Sequence, residues 1–171
     1  GRVTRYDYDQ RNRLETVTLD PAGAALRANY IWEQDSLLRR VDLHGGSFTE
    51  RTYDLADRVL SIANGHPNGT IFSTYQYAYD ANGNRTNQIE LQPAITPAAQ
   101  ATAYEFDRLN RLLRVTSGSR SLAYTYAPNG NRLTEVGTDI VTGAPVDRAF
   151  RYAELPGKAG ITFSGVNVLT R

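Results

Sequence analysis

Residues 6 to 14 read YDYDQRNRL: two tyrosines and two aspartates in alternation, followed by Asn-Arg-Leu. Met once, such a stretch is an acidic site with aromatic walls. Two carboxylates about 5 Å apart, or about 6.5–9.5 Å apart with water between them, are what glycoside hydrolysis needs. The chain holds 18 acids from which a pair could be drawn. Its two histidines, His44 and His66, could serve as general bases. His44 opens HGGS, a stretch that resembles the oxyanion loop of some esterases, and Ser164 in FSGV is a candidate nucleophile.

Each catalytic reading lacks its supporting residues. No Gly-x-Ser-x-Gly elbow accompanies HGGS, and Ser164 has no flanking pattern of that kind. Both histidines stand in Gly/Asn/Pro-rich joins, where solvated turn residues are expected. The absence of cysteine excludes disulfides and thiolate metal sites, so two histidines and carboxylates would have to complete any metal shell. The sequence therefore singles out no catalytic, cofactor-binding or metal-ligating residue, implies no cofactor, and leans away from an enzyme.

The stretch is in fact the first of a series. YIWEQDSLL (30–38), TYDLADRVL (52–60), YQYAYDANGNR (75–85), YEFDRLNRLL (104–113) and YTYAPNGNRL (124–133) follow it, and a weaker FRYAELPG (150–157) closes the series. The second aromatics are Tyr8, Trp32, Tyr53, Tyr79, Phe106, Tyr126 and Tyr152, spaced 20 to 27 residues apart. A recurrence of that length marks a repeat architecture.

Each unit reads as a β-hairpin. Aromatics two apart, as in Tyr6/Tyr8, Tyr30/Trp32 and Tyr104/Phe106, share one side of a strand. Unit three breaks the alternation, with Arg51 ahead of Tyr53. A turn then follows: Asp9 precedes Asn12 by three residues, as Asp54 precedes Asp57, Asp80 precedes Gly83 and Asp107 precedes Asn110. Aspartate suits the first position of a type I turn, and Asn, Asp or Gly suits the left-handed residue after it. In unit six Pro128 takes the second turn position and Gly130 the left-handed one; Glu33 and Ser36 make unit two the poorest match. Positive φ is expected at Asn12, Gly83, Asn110 and Gly130. Second strands are expected at 13–19, 37–43, 58–63, 85–91, 111–117 and 132–137. In them Leu14 and Val17, Leu38 and Val41, and Leu112 and Val115 are three apart, which demands either a bulge or a leucine folded over the hairpin end.

The fold class is thus all-β: about fourteen strands in consecutive antiparallel hairpins, forming a curled sheet, either an arc of a shell or a closed barrel-like sheet. Residues 1–171 are expected to be one domain. The Pro/Ala-rich join QPAITPAAQA (92–101) reads as a loop or a sub-boundary. A net charge of +1, with Lys158 the only lysine, gives no basic stripe for nucleic acid and no polybasic membrane patch. No run of 18 apolar residues is present, so no membrane insertion by a helix is expected, and no targeting signal is visible.

The units resemble the YD repeats of the RHS family, whose pattern runs approximately Tyr-x-Tyr-Asp-x-x-Gly-Arg-Leu, with a sister form ending Gly-Asn-Arg. YDQRNRL and FDRLNRL are similar to the first, with asparagine in the glycine place; YDANGNR and YAPNGNR are similar to the second. The resemblance covers about residues 3 to 152. It implies hairpins stacked into a β-sheet that spirals into a hollow shell, as in bacterial RHS polymorphic toxins and the C component of insecticidal toxin complexes, where the shell encloses a toxic C-terminal domain. Wall-associated bacterial proteins and teneurins carry similar repeats. A structural role in such a wall, in a secreted or cell-surface bacterial protein, is what the resemblance implies. DPAG (20–23) matches the Asp-Pro-x-Gly of the family's self-cleaving core but lies between units one and two, where an ordinary turn is expected.

Two other functions compete with the wall reading. One is a surface-binding module, its tyrosine rows stacking on carbohydrate or gripping protein. The other is a small hydrolase using carboxylates or histidine on the exposed sheet. The expected partners are adjoining repeats of a longer parent chain, an enclosed effector domain, or a second copy, paired edge to edge or swapped across 92–101.

Overall fold

The computed structural model describes residues 3–20, 25–152 and 163–167, and among them there is no helix. Fourteen strands account for the regular structure. They are β1 (Val3–Tyr8), β2 (Leu14–Asp20), β3 (Leu26–Trp32), β4 (Leu38–Leu43), β5 (Phe48–Tyr53), β6 (Val59–Gly65) and β7 (Ile71–Tyr79). Then come β8 (Arg85–Gln92), β9 (Thr96–Phe106), β10 (Leu112–Ser117), β11 (Arg120–Tyr126), β12 (Arg132–Thr138), β13 (Pro145–Tyr152) and β14 (Phe163–Asn167). Strand order follows chain order, and the ladders are antiparallel. The chain divides into two compact units, Gly1–Ala78 with Ile89–Ala99 and Tyr79–Gln88 with Gln100–Arg171. The expected second strands all form, within two residues of their predicted ends.

One expectation about the joins is corrected. At 92–101 only Pro93, Ala94 and Ile95 turn, with the Ile95 N–H donating to the Gln92 carbonyl at 2.9 Å. Strand β9 begins at Thr96 and runs for 11 residues, so most of the segment is strand and not a loop. Pro97 does not prevent this, because it stands beside the strand's first residue, where a missing N–H is tolerated. Ser164 falls in β14, opposite Arg151. Residues 21–23 of the DPAG stretch, and 153–162 and 168–171 of the tail around Lys158, lie outside the described residues.

The leucine–valine spacing of three is a bulge. Tyr8 pairs with Leu14 but Asp7 pairs with Thr16, so Glu15 is the extra residue, and Leu14 and Val17 share one face. The same shift separates Leu38 from Arg40, Val59 from Ser61, Leu112 from Arg114 and Arg132 from Thr134. In the β1–β2, β3–β4 and β9–β10 hairpins this places both aromatics on one face with the leucine and the valine. Tyr6 faces Val17, Tyr30 faces Val41, and Tyr104 faces Val115. The opposite face carries polar pairs and Phe48: Arg5 pairs with Asp7 at 2.9 Å and Arg40 with Asp42 at 2.7 Å, with the Arg40 guanidinium 3.9 Å from the Phe48 ring centroid, and hydroxyls pair across strands at Thr52–Ser61 (2.6 Å) and Thr125–Thr134 (2.7 Å).

Burial is shallow. Among the described residues only Phe48, Val115, Leu122 and Val146 are buried apolar side chains, each still 5–8% exposed. A sheet normally buries one face against a second layer; here the strands are held mainly by their neighbours along the sheet.

The turns follow one design. Asp9 donates its N–H to the Arg13 carbonyl at 2.9 Å, and the Asn12 N–H returns to the Asp9 carbonyl at 3.0 Å. The same two bonds close the turns that open at Glu33, Asp54, Asp80, Asp107 and Ala127, and those at Leu43 and His66 on the opposite ends of the strands. The fourth residue is left-handed in each, including the four positions expected from sequence: φ is 60° at Asn12 and Asn110, 87° at Gly83 and 91° at Gly130. An added β-carbon at Gly83 or Gly130 would meet no atom within 4 Å. The Gly130→Val substitution therefore isolates the backbone cost and is expected to lower unfolding free energy by about 1–2 kcal/mol in urea denaturation.

Candidate functional site

The repeated chemistry is a link between one hairpin and the next. Its first part is the turn aspartate. Asp9 Oδ1 accepts from the backbone N–H groups of Arg11 and Arg13, both at 2.9 Å, and Oδ2 accepts from Arg13 Nε at 2.7 Å. Asp54 holds Ala56 and Arg58 in the same way, and Asp107 holds Leu109 and Arg111, with arginine contacts of 2.7 and 2.6 Å. Aspartate suits this position because its short side chain reaches N–H groups two and four residues on, as in an Asx-turn.

The second part is the arginine so oriented. Arg13 Nη1 donates to the Glu33 carbonyl of the following turn at 2.8 Å, and its guanidinium lies 5.7 Å from the Trp32 ring centroid. Arg111 repeats this toward the Ala127 carbonyl (3.1 Å) and the Tyr126 ring (4.7 Å). The third part runs the other way: the following aromatic donates back to the carbonyl of the bulge leucine. Trp32 Nε1 reaches Leu14, Tyr53 Oη reaches Leu38, and Tyr126 Oη reaches Leu112, each at 2.8 Å. Aspartate, arginine, leucine and the next aromatic thus form one unit across two hairpins.

The Gly-Asn-Arg turns use a variant of this link. In the Asp80 turn Asn84 takes the arginine's place and donates to Asp80 Oδ2 at 2.9 Å. Asn82 and Asn84 also donate to Asn110 Oδ1 of the next turn, at 3.0 and 2.8 Å. The arginine, moved one residue on, stacks on the next hairpin's first aromatic instead: Arg85 over Tyr104 at 5.1 Å and Arg132 over Phe150 at 4.5 Å.

The turn carboxylates are all held below the usual aspartate range. Backbone hydrogen bonds are the largest cause for Asp9, Asp54, Asp107 and Asp139, and the Asn84 side chain for Asp80. A depressed folded pKa adds stability that is complete above the unfolded value and is lost as pH falls through the folded one. The midpoint in urea is thus expected to be flat from neutral pH to about pH 4, then to fall with further acid. A midpoint insensitive to acid would contradict the role of these bonds.

Two positions break the repeat. Where the other hairpins carry Tyr6, Tyr30, Tyr77, Tyr104, Tyr124 and Phe150, the third carries Arg51, in register with Ile62 and through it with Tyr75. Arg51 Nη1 is buried with no hydrogen-bond partner, an arrangement that costs about 1–3 kcal/mol. In the second compact unit Glu135, 7% exposed, sits on the aromatic face opposite Tyr124 and Arg148. Arg148 (3.3 Å) and Arg132 (3.7 Å) compensate its charge. Burial, with Glu135 beside it, raises the Tyr124 phenol. Sequence reasoning noticed Arg51 only as an irregularity and passed over Glu135, since neither burial nor face can be read from a lone charged residue in RTYD or RLTEVG.

The histidines remain apart from any catalytic grouping. His44 is exposed in the turn that opens at Leu43, and His66, also exposed, packs its ring 4.7 Å from that of Phe72. Neither imidazole hydrogen-bonds to a serine or a carboxylate, and no three His, Asp or Glu side chains converge as metal ligands, among the described residues. No helix of the described residues is long and apolar enough to cross a membrane.

No protein-family model matches the chain, and no curated protein matches it in sequence. Solved structures do match its fold. A chain of the TcdB2-TccC3-Cdc42 crystal structure is similar at a TM-score of 0.75 and 16% identity, over 90% of this chain and 9% of that one. The Photorhabdus luminescens Tc holotoxin pore gives the same TM-score, identity and coverage. The TcdB2-TccC3-TEV structure gives 0.73 and 15%, again over 90% and 9%. This chain therefore spans less than a tenth of the length of those chains. At these identities the likeness establishes the fold: a succession of antiparallel hairpins, as in one stretch of the Tc toxin chains.

Proposed function

We propose that this chain is a wall segment of an RHS/YD-repeat protein, a stretch of β-shell that encloses a toxin or effector domain. The observation that carries the reading is the link between hairpins. It leaves each hairpin's free side prepared for another of the same kind, and it recurs without reference to any ligand. The fold shared with Tc toxin chains and the YD pattern of five good units support the same conclusion. The shallow burial fits a chain whose aromatic face is completed by something beyond these residues. On this reading the protein is secreted or displayed by a bacterium. Its partners are then adjoining repeats and an enclosed domain, with pairing of two copies through sheet edges as the alternative.

Determining the coding sequence on both sides of the chain tests the reading. Further YD units on at least one side and a C-terminal domain of different composition are expected. A reading frame with neither would overturn it.

A further inference from the structure

We propose that the outer edge of β1, with Tyr8 and the Asp9 carbonyl, receives a further YD hairpin whose turn ends Arg-Leu, supplied by a longer parent chain. The site stands on three observations, and only the origin of the hairpin rests on the wall reading. The first is an aromatic without its acceptor. Trp32, Tyr53 and Tyr126 are half-buried, and each donates to a leucine carbonyl of the hairpin before it. Tyr8 holds the same place in the first hairpin, yet it is 56% exposed and its hydroxyl donates to none of the described residues. The second is a carbonyl. Those of Glu33 and Ala127 each accept two bonds, one from the N–H that closes their own turn and one from the arginine of the preceding hairpin. The Asp9 carbonyl accepts only the first of these among the described residues, from Asn12 at 3.0 Å, and keeps its second lone pair. The third is the edge. Among the described residues β1 pairs with β2 alone, and five of its six residues are exposed. Its outward N–H and C=O groups are therefore open to another strand.

The occupant follows from the link itself. A ring, a carbonyl and a strand edge in this arrangement call for a guanidinium, the carbonyl of the residue after it, and an extended strand. Arg13 with Leu14, and Arg111 with Leu112, supply that set to the hairpins that follow them. In the register of β2 on β3, an incoming copy of β2 would set its threonine equivalent to Thr16 opposite Arg5, and its arginine over Tyr8. Ladders of three to five residue pairs join one hairpin to the next at β4–β5 and β12–β13, and β1 is long enough for either. The free edge of a second copy lacks the set. Its last hairpin has no arginine between Tyr152 and Arg171, and its Arg13 and Arg111 are held in their own links.

Nuclear magnetic resonance of the ¹⁵N-labelled full chain tests this at the backbone amides of Val3–Tyr8. The probe is a backbone-cyclised peptide of residues 3–20, a hairpin with its own Arg-Leu pair, closed because an isolated hairpin is only marginally stable. Its control carries Arg13→Gln. The arginine peptide is expected to shift these amides saturably, at least about tenfold more tightly than the control. The Tyr8→Leu chain, its remaining amide signals unchanged, is expected to bind the two peptides equally. Equal binding to the unaltered chain, a preference retained in Tyr8→Leu, saturable shifts confined to other strands, or no saturable shift would overturn the site. Light scattering separates the two sources of a partner strand. The chain alone is expected to be monomeric at the concentrations used; a dimer that the peptide or Tyr8→Leu dissociates would overturn the adjoining hairpin in favour of a second copy. The flanking coding sequence keeps the wall reading distinct. Flanking YD units without arginine-dependent binding would overturn the site and leave that reading standing; such binding with no flanking YD unit would uphold the site and overturn the reading.

Discussion

The Gly137→Val substitution is expected to lower unfolding free energy by about 3–5 kcal/mol, the largest effect of a replacement at any glycine whose surroundings are described. Gly137 pairs with Leu122 on one side and Val146 on the other. Leu122 in turn faces Val115, which faces Tyr104, so the row contains three of the four buried apolar side chains among the described residues. A β-carbon on Gly137 would stand 2.1 Å from the Ser121 carbonyl oxygen and 3.1 Å from Leu122 Cα, and the backbone has φ of +140°. The obstructing atoms are backbone, so no side-chain rotation relieves them. Gly65 offers the contrast: its added β-carbon would meet the Phe48 ring at 2.2 Å, and a ring can swing away. Urea denaturation of Gly137→Val and Gly130→Val side by side checks the argument. Near-equal losses would mean that the row around Gly137 adapts far more than its packing indicates.

The second large effect is expected at Arg111. Arg111→Ala removes the 2.6 Å contact to Asp107, the bond to the Ala127 carbonyl and the stack on Tyr126. Hydrogen bonds to a charged group contribute about 1.5–3 kcal/mol and a guanidinium–ring contact about 0.5–1 kcal/mol. A loss of about 2–4 kcal/mol follows, discounted toward the lower end because the Arg111 side chain is 26% exposed. Arg111→Lys retains the charge without the fork and is expected to lose about half as much. If lysine restores full stability, the arginine acts only as a positive charge and the shared bonding geometry is irrelevant.

The sequence carried the hairpins plainly because each is specified twice over, by period-two aromatics and by a turn that accepts few residue types. Asn12 and Gly83 could be assigned positive φ without coordinates for that reason. Even the weak Glu33–Ser36 unit folds the same way, with φ of 71° at Ser36, because backbone hydrogen bonds close that turn whatever its first side chain. The bulge was not decidable, since a leucine and a valine three apart fit two geometries until the partner strand fixes the register. Strand β9 was misread because Pro and Ala describe loops in isolation, while a neighbouring ladder can impose strand on them. The arginines illustrate a different limit. Their recurrence after each turn was visible, but their target is an aromatic some fifteen to twenty residues away, a distance that no local pattern encodes. The same holds for Arg51 and Glu135, whose meaning lies in the face on which they stand.

Arginine of one hairpin and aromatic of the next form a direct energetic link. A double-mutant cycle on Arg111→Ala and Tyr126→Leu measures that link and nothing else, because each replacement removes one side of the contact. A coupling of about 1 kcal/mol between the two is expected from the stacking of guanidinium on ring. Additivity within about 0.3 kcal/mol, with both single variants destabilised, would contradict it: the hairpins would then be joined by backbone pairing alone.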